Sequence, residues 1–343
     1  MDHIGVGQRG LFVPVPVDPQ GRVGPSPKSA RGPRWRRSSR GYYVPASVER
    51  TVDQRILEAS VVLPEHGGVT GWAGLRWMGG HWFGGLGAGM MERPVTLVTA
   101  GDDIRPQPGI AVSAERLDPQ LLVDLDGIRV TTPVRSADYE MRYADDLRGA
   151  VQVLDMAAYS DLVSIAEAWA YAMTHPGWTG IGMARAAIAL ADENSWSPQE
   201  TLMRLIWILD AELPPPLCNR PVFDRDGRHI GTPDLIDEEA GMVGEYDGPL
   251  HLAGQRRARD LRREEIFRRH GLEYFTMVAA DHASPGLMVG RMHSTRERAA
   301  FRAPSTRDWT LVPPPWWEPT HTVAQRRALA PERRSKLLAY RVA

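Results

Sequence analysis

The spacing of hydrophobic and polar residues changes along the chain and predicts both the elements and the domain divisions. Residues 1–40 show no sustained period and are rich in Pro, Gly, Arg and Ser, which predicts a disordered basic N-terminal arm. Beyond the arm, apolar spacing predicts helices near 48–62, 70–78, 136–157, 160–173 and 180–192, and strands at 95–99, 110–114 and 128–131. This mixture predicts a separate mixed α/β scaffold domain over residues 41–192.

The region 195–303 is predicted to follow the order helix, three strands, helix, strand. Ser197 and Glu200 form a capping box ahead of an apolar stripe, which predicts the start of the first helix. Strands are predicted at 221–223 and from 230 onward, joined by a hairpin turn at Asp226-Gly227, and also at 241–246 and 272–278. Helices are predicted over 254–270 and near 285–300. We therefore expect an α/β (α+β) fold with a mixed central sheet flanked by helices. Residues 304–343 are expected to form a Pro/Trp-rich, basic tail that is partly packed and partly loose.

Composition adds three constraints. The formal net charge is −1, so nucleic-acid binding must come from local clusters, and all but two of the 41 basic residues are arginine, the exceptions being Lys28 and Lys336. The single cysteine, Cys218, excludes an intrachain disulfide and suits a small buried hydrophobe in a reducing compartment. No apolar run reaches the length of a membrane helix, and no signal-peptide core follows Met1. We expect a cytoplasmic protein without a membrane partner.

Carboxylates in the 195–303 region are the strongest candidates for chemistry. Asp234 falls in a run typical of a strand, and Glu245 and Asp247 lie two apart in the next strand, so these two project to one face of the sheet. Mg²⁺, or Mn²⁺, prefers a few carboxylates and keeps several waters, which suits phosphodiester hydrolysis. Glu200 is the candidate third carboxylate, although the capping box alone explains it. Asp247 has an alternative too, as an ordinary Asp-Gly turn residue.

Basic and imidazole side chains after these acids are further candidates. His251 is a candidate general acid, because its unperturbed pKa lies near neutrality, although a lone histidine is more often structural. Arg263 either faces the acidic cluster or forms a solvent pair with Asp260 on the same helix. Further arginines of this helix, with Arg256, Arg257 and Arg259 foremost, form a cluster that a DNA backbone could contact, or else a solvated helix face.

The N-terminal arm combines cations with aromatic residues. Arginines and one lysine occur over residues 28–40 without an intervening acid, and Trp35, Tyr42 and Tyr43 lie close by. Such a segment can hold a phosphate backbone and stack on bases. The alternative is a solvated tail that leads into a strand at residues 41–45.

Two parts of the chain resemble known families. The nuclease-like pattern consists of Glu200, Pro233-Asp234, Glu245-Tyr246-Asp247-Gly248, His251, Asp260, Arg263 and Gly271. It resembles a domain of unknown function related to very-short-patch-repair endonucleases, within the restriction-endonuclease-like PD-(D/E)XK fold, and covers about a quarter of the chain. Upstream, residues 37–44, 69–73 and 127–133 are similar to actinobacterial AbiEi-type antitoxins, which often carry such a domain at the C-terminus.

The endonuclease resemblance implies that Asp234 and Glu245 are metal ligands and that Glu200 is a helper carried on a helix. The family's usual lysine, two residues past the second acid, is here Asp247, so Gln255 or an arginine remains for that role. Repair-type relatives use a histidine instead, which keeps His251 as a candidate. The antitoxin relatives begin with a winged helix that reads DNA, whereas the chain before residue 41 lacks a helix pair.

Three functional hypotheses follow from these patterns. The first is a Mg²⁺-dependent DNA endonuclease in repair or defence, with Asp234 and Glu245 on the metal, Glu200 and Asp247 assisting, and His251 or Gln255 on the phosphate or the attacking water. The second is a non-catalytic DNA-binding or toxin-neutralising protein of antitoxin type that uses an inactive nuclease fold. The third is a structural module with neither property.

Overall fold

A computed structural model describes residues 8–101, 104–248 and 254–341, with side chains except at Ala88 and residues 254–261. The chain forms two compact units, Met1–Ala144 with Ala166–Arg185, and Asp145–Ile165 with Ala186–Ala343. The second unit thus begins before the domain expected at residue 195. No helix in the described part of the chain has the length and apolar character needed to cross a membrane.

The first unit begins with a small antiparallel sheet. Strands β1 (Val15–Pro16), β2 (Trp35–Ser39) and β3 (Tyr42–Pro45) pair in the order β1-β3-β2. The disorder expected for residues 1–40 is therefore wrong for residues 8–40. A contact distant in sequence explains the difference, because the Arg36 guanidinium donates to both carboxylate oxygens of Glu58, each at 2.7 Å.

A five-stranded mixed sheet and its helices complete most of the first unit. The elements are α1 (Val52–Ser60), β4 (Gly68–Thr70), α2 (Gly71–Trp77), β5 (Val95–Val98), β6 (Ile110–Ser113), β7 (Leu122–Leu125), β8 (Ile128–Thr131) and α3 (Pro133–Arg142), with strand order β6-β5-β4-β8-β7. The predicted strands β5, β6 and β8 are confirmed. The single helix predicted over 136–157 is wrong, because α3 ends at Arg142 and a new helix, α4 (Leu147–Tyr159), starts at the Asp146 cap.

Helices α5 (Ile165–Thr174) and α6 (Ile181–Leu190) follow, near the positions predicted. The second unit then has α7 (Pro198–Leu205), which runs into a π-helical turn (Ile206–Asp210), β9 (Leu217–Cys218), β10 (Val222–Asp224), β11 (His229–Gly231), β12 (Leu235–Asp237), β13 (Met242–Asp247), α8 (Gly254–Arg269), β14 (Glu273–Val278) and α9 (Pro285–Arg298). The predicted Asp226-Gly227 hairpin joins β10 to β11.

The central sheet of the second unit has the order β14-β13-β12-β9. Strands β9, β12 and β13 pair antiparallel, and β14 pairs parallel with β13 after the crossover through α8. Strand alternation sends Leu235 and Met242 into one core with Trp207 and the α9 methionines, and Ile236 and Val243 into a second core with Phe267 of α8. Helices therefore cover both faces of this sheet.

Residues 304–341 contain short packed elements, in agreement with the partly packed end that the sequence predicts. They form β15 (Trp309–Thr310), α10 (Val323–Arg327) and α11 (Pro331–Leu337). Arg326 has no exposed side-chain surface and donates to Asp161 Oδ1 at 2.5 Å. Arg334 and Arg341 also contact the Asp161 carboxylate. These ion pairs fix the segment to the loop after α4.

Candidate active site

Glu200 lies in the first turn of α7 and is held by two donors. The backbone N–H of Trp196 and the side-chain amide of Asn219 donate to Oε2 at 2.9 and 2.8 Å. The predicted cap is half confirmed: Ser197 accepts from the Glu200 N–H at 3.2 Å, but the Glu200 carboxylate bonds the residue before the cap. Burial raises the pKa of Glu200, and the charge of Asp155 adds to this effect.

A buried ion pair fixes α7 beneath the site. Asp155 of α4 accepts from Arg204 at 2.7 Å and from the hydroxyl of Thr201 at 2.8 Å. Both Arg204 and Asp155 are almost completely buried. Removal of one partner would leave an uncompensated charge in the core, so this pair holds the helix that carries Glu200.

Asn219 joins Glu200 to the strand that follows Asp234. Its backbone N–H donates to the Asp234 carbonyl at 3.0 Å, and its side-chain amide reaches Glu200. The residue has a φ of 46°, in the left-handed region that asparagine tolerates better than most residues. One residue thus connects the α7 carboxylate to the backbone at the start of β12.

Asp234 was predicted to lie within a strand, but it lies immediately before β12. Its Oδ2 accepts from the Tyr246 N–H at 2.7 Å, which links it to β13 next to Glu245. Burial and the nearby charge of Glu200 raise the pKa of Asp234 to about 8, although the Tyr246 hydrogen bond and the charge of Arg263 oppose this shift. The charge of Glu200 thus acts on Asp234, and Asn219 hydrogen-bonds to both residues.

Glu245 lies within β13, and its side chain is 13% exposed. Its Oε1 lies 2.6 Å from the Arg263 Nε, and its Oε2 accepts from the Tyr274 hydroxyl at 2.8 Å. Arg263 also donates to the Thr232 carbonyl. The structure agrees with the first alternative for Arg263, because its guanidinium contacts Glu245 of the acidic cluster.

Gly244 precedes Glu245 at a position without room for a side chain. A Cβ built there would lie 2.3 Å from the Phe275 ring. Real side chains do not approach so closely, and the ring belongs to the core beneath the sheet. The glycine thus lets β13 and β14 pack closely beside Glu245.

The remaining site predictions have mixed outcomes. Asp247 lies in β13 as predicted, and it is exposed at the end of the strand. His251 lies outside the described residues. The side chains of Gln255, Arg256, Arg257 and Arg259 also lie outside the described part, although their backbone forms α8. Asp234, Glu200, Glu245 and Arg263 therefore define the candidate site, which we call the acidic site.

The acidic site fits a divalent ion in part. Carboxylate oxygens are the ligands that Mg²⁺ prefers, and one or two carboxylates with several waters are enough for it. Both Glu245 oxygens have protein partners, so an ion on Glu245 must compete with Arg263 and Tyr274. Among the side chains that the structure describes, no three His, Cys, Asp or Glu residues form a group able to hold a metal.

Sequence reasoning missed Asn219 and Tyr274, which contact the site from loops or strands far from the acids in sequence. Asn219 follows an edge strand of two residues, too short for a periodic signal. Cys218 is buried in the core, as expected. No family model matches the chain, and neither a curated protein nor a solved structure matches it.

Proposed function

We propose that this protein is a divalent-metal-dependent phosphodiester hydrolase that acts on DNA. The arrangement of Asp234 and Glu200 carries the proposal, because the half-buried Asp234 lies close enough to the buried Glu200 for the charge of Glu200 to raise the pKa of Asp234. In the described part of the chain neither forms an ion pair with a basic side chain. Carboxylates without such a counter-charge favour the binding of a cation.

The position of the acids gives the second support. Asp234 at the start of β12 and Glu245 in β13 belong to neighbouring antiparallel strands, and Glu200 comes from the helix before the sheet. These positions agree with the ligand pair and helix-borne helper implied by the endonuclease resemblance. A bound Mg²⁺ would polarise the phosphate and lower the pKa of its water.

Arg263 is the described side chain best placed to replace the family's lysine. Asp247 occupies the lysine position and points to solvent, whereas Arg263 contacts Glu245 and is 40% exposed. A guanidinium can bind two phosphate oxygens at once, so a substrate phosphate could take over the donors now used on Glu245. Arg263 would then stabilise negative charge on the phosphate.

Cleavage of supercoiled plasmid and of mismatched duplex in Mg²⁺ or Mn²⁺ tests the proposal. We expect Asp234→Asn and Glu245→Gln to lower the rate by at least about 100-fold, since each removes a charged group from the reacting centre. Asp226→Asn is the matched control, because Asp226 is 71% exposed in a hairpin turn that asparagine also suits. Wild-type cleavage no faster than that of Asp234→Asn would overturn the proposal.

One observation favours a second function, a non-catalytic DNA-binding or toxin-neutralising role. Both Glu245 oxygens are engaged, and a permanent Arg263 pair would exclude a metal from that side chain. This alternative expects DNA or partner binding that is unchanged by EDTA and by Asp234→Asn. A steep salt dependence that weakens in an Arg256/Arg257/Arg259 triple alanine variant would assign the contact to DNA phosphates.

A further inference from the structure

The small N-terminal sheet has two different faces. Arg36 and Val44 are cross-strand partners, and Arg36 pairs with Glu58 of α1 while Val44 is fully buried. This pair therefore faces α1. Arg37 and Tyr43 form the next cross-strand pair, and alternation along each strand places them on the opposite, outer face.

The outer face combines aromatic rings with a guanidinium. Trp35 lies two residues before Arg37 in β2 and so shares its face. Trp35 and Tyr43 are partly exposed, and Arg37 is exposed. Strand β2 is also the edge of its sheet, with Arg34 just before it and Arg40 just after it. We call Trp35, Tyr43, Arg34, Arg37 and Arg40 the outer patch.

The charge around the outer patch is strongly one-sided. No Asp or Glu occurs between Asp18 and Glu49, and the cations of this stretch are Arg22, Lys28, Arg31, Arg34, Arg36, Arg37 and Arg40. Within the described residues, only Arg36 among these cations forms an ion pair. The other six are exposed. Such a concentration of unneutralised cations attracts a polyanion.

We propose that the outer patch binds single-stranded DNA, with the arginines on phosphates and the two rings stacked on bases. Charge alone would suit duplex DNA or an anionic lipid surface equally. The rings decide between these partners, because only unpaired bases offer free flat faces for stacking. The choice of DNA over RNA rests on the proposed hydrolysis of DNA, whereas the binding itself needs neither a metal nor the acidic site.

Fluorescence anisotropy with labelled oligo-dT in EDTA tests this proposal on the full chain. An Arg34→Gln/Arg37→Gln/Arg40→Gln variant should bind at least about tenfold more weakly. Its slope of log affinity against log salt should fall by about 2, since each single-strand phosphate contact contributes about 0.7. Tyr43→Leu should lose about tenfold in affinity through lost stacking, and Tyr43→Phe should bind like wild type.

The control removes three arginines whose charges are already paired elsewhere on the surface. These are Arg50, Arg228 and Arg298, with partners Glu92, Asp226 and Glu273, and their triple glutamine variant should bind like wild type. Equal weakening in this control, or unchanged affinity in Tyr43→Leu, would overturn the proposal.

The remaining outcomes come from comparing the affinity for oligo-dT with the affinities for other polyanions. Tighter binding of duplex DNA, of oligo-U or of anionic vesicles than of oligo-dT would each overturn the assignment to single-stranded DNA. Asp234→Asn should bind oligo-dT like wild type, so failed binding and failed hydrolysis are separate results. Thermal unfolding of each variant identifies any loss of fold.

Discussion

Two carboxyl groups in different units have opposite surroundings. Glu115 in the first unit accepts from Arg142 at 2.7 and 2.8 Å, from Arg135 at 2.5 Å and from the Tyr143 hydroxyl at 2.7 Å. Burial would raise its pKa, but these partners outweigh it and lower the pKa to about 2. Asp234 has the opposite balance, and its pKa is about 8.

The contrast shows two kinds of carboxyl group. Glu115 belongs to an ion cluster that stabilises the fold, whereas Asp234 lacks a counter-charge among the described side chains. Arg135 and Arg142 are fully buried and neutralise Glu115 internally, so nothing further is needed there. Glu200 is buried and Asp234 is half-buried, and both receive only neutral donors in the hydrogen bonds described. A proton or a cation must supply the missing positive charge.

Glu115→Gln should have the largest effect on stability. It leaves the buried Arg135 guanidinium without its carboxylate partner, while Arg142 keeps its pair with Asp138, and this should cost about 3–5 kcal/mol in the free energy of unfolding at pH 7. Urea denaturation measures it. Glu92→Gln is the control, because Glu92 is 48% exposed and its loss should cost less than about 1 kcal/mol. Similar losses in both variants would contradict the comparison.

The stability of the fold should depend on pH in opposite directions at Glu115 and at Asp234. The stability from Glu115 is present above its unfolded pKa of 4.5 and is lost as pH falls toward 2. Asp234 holds a proton in the folded state between its unfolded pKa of 3.8 and about 8, so stability falls as pH rises through that window.

Asp234→Asn should remove the loss of stability that Asp234 causes as the pH rises. In EDTA, its stability relative to wild type should increase by about 1–3 kcal/mol between pH 5 and pH 8, because wild type alone must release this proton. Urea unfolding at both pH values measures the change. The Asp226→Asn variant should follow wild type at both. A constant difference between Asp234→Asn and wild type would show that Asp234 is ionised throughout.

A divalent ion should have a smaller effect. Mg²⁺ at about ten times its Kd should stabilise wild type by about 1.4 kcal/mol. Asp234→Asn should lose this gain and Asp226→Asn should keep it, as measured by thermal unfolding with and without Mg²⁺. The same stabilisation in all three proteins would place the ion elsewhere.

Arg263→Gln should change stability least. The pair with Glu245 is partly exposed at Arg263, so its loss should cost less than about 1 kcal/mol. Mg²⁺ should stabilise this variant more than wild type, because Glu245 no longer holds the guanidinium. Arg269→Gln, which breaks an exposed pair with Glu265 on the same helix, is the control and should leave the Mg²⁺ effect unchanged.

Much of the second unit could be predicted from the sequence because its signals are local. The sequence predicted strand β13 and helix α8 near their observed bounds, and the Asp-Gly pair identified the β10–β11 turn. Composition failed for residues 8–40, where proline, glycine and arginine suggested disorder. The β2 strand there pairs through Arg36 with Glu58, which lies too far along the chain for a local pattern to reveal.

The sequence predicted which residues belong to the candidate site better than it predicted the contacts between them. Acids at the start of β12 and within β13 follow from strand patterns, so Asp234 and Glu245 could be chosen. The Arg263 pair, the Tyr274 hydroxyl and the Asn219 bridge depend on how separate elements pack. Arginine usually marks surface, yet Arg135, Arg204 and Arg326 are buried, and sequence alone does not identify their partners.

The Phe275 ring over Gly244 limits how the sheet can be redesigned. Glycine is a poor strand former, and stabilisation efforts would normally replace it with a β-branched residue. Here that replacement would push the ring or the strand aside and carry the neighbouring carboxylate with it. Greater thermal resistance gained at this position would therefore come at the expense of the geometry around Glu245.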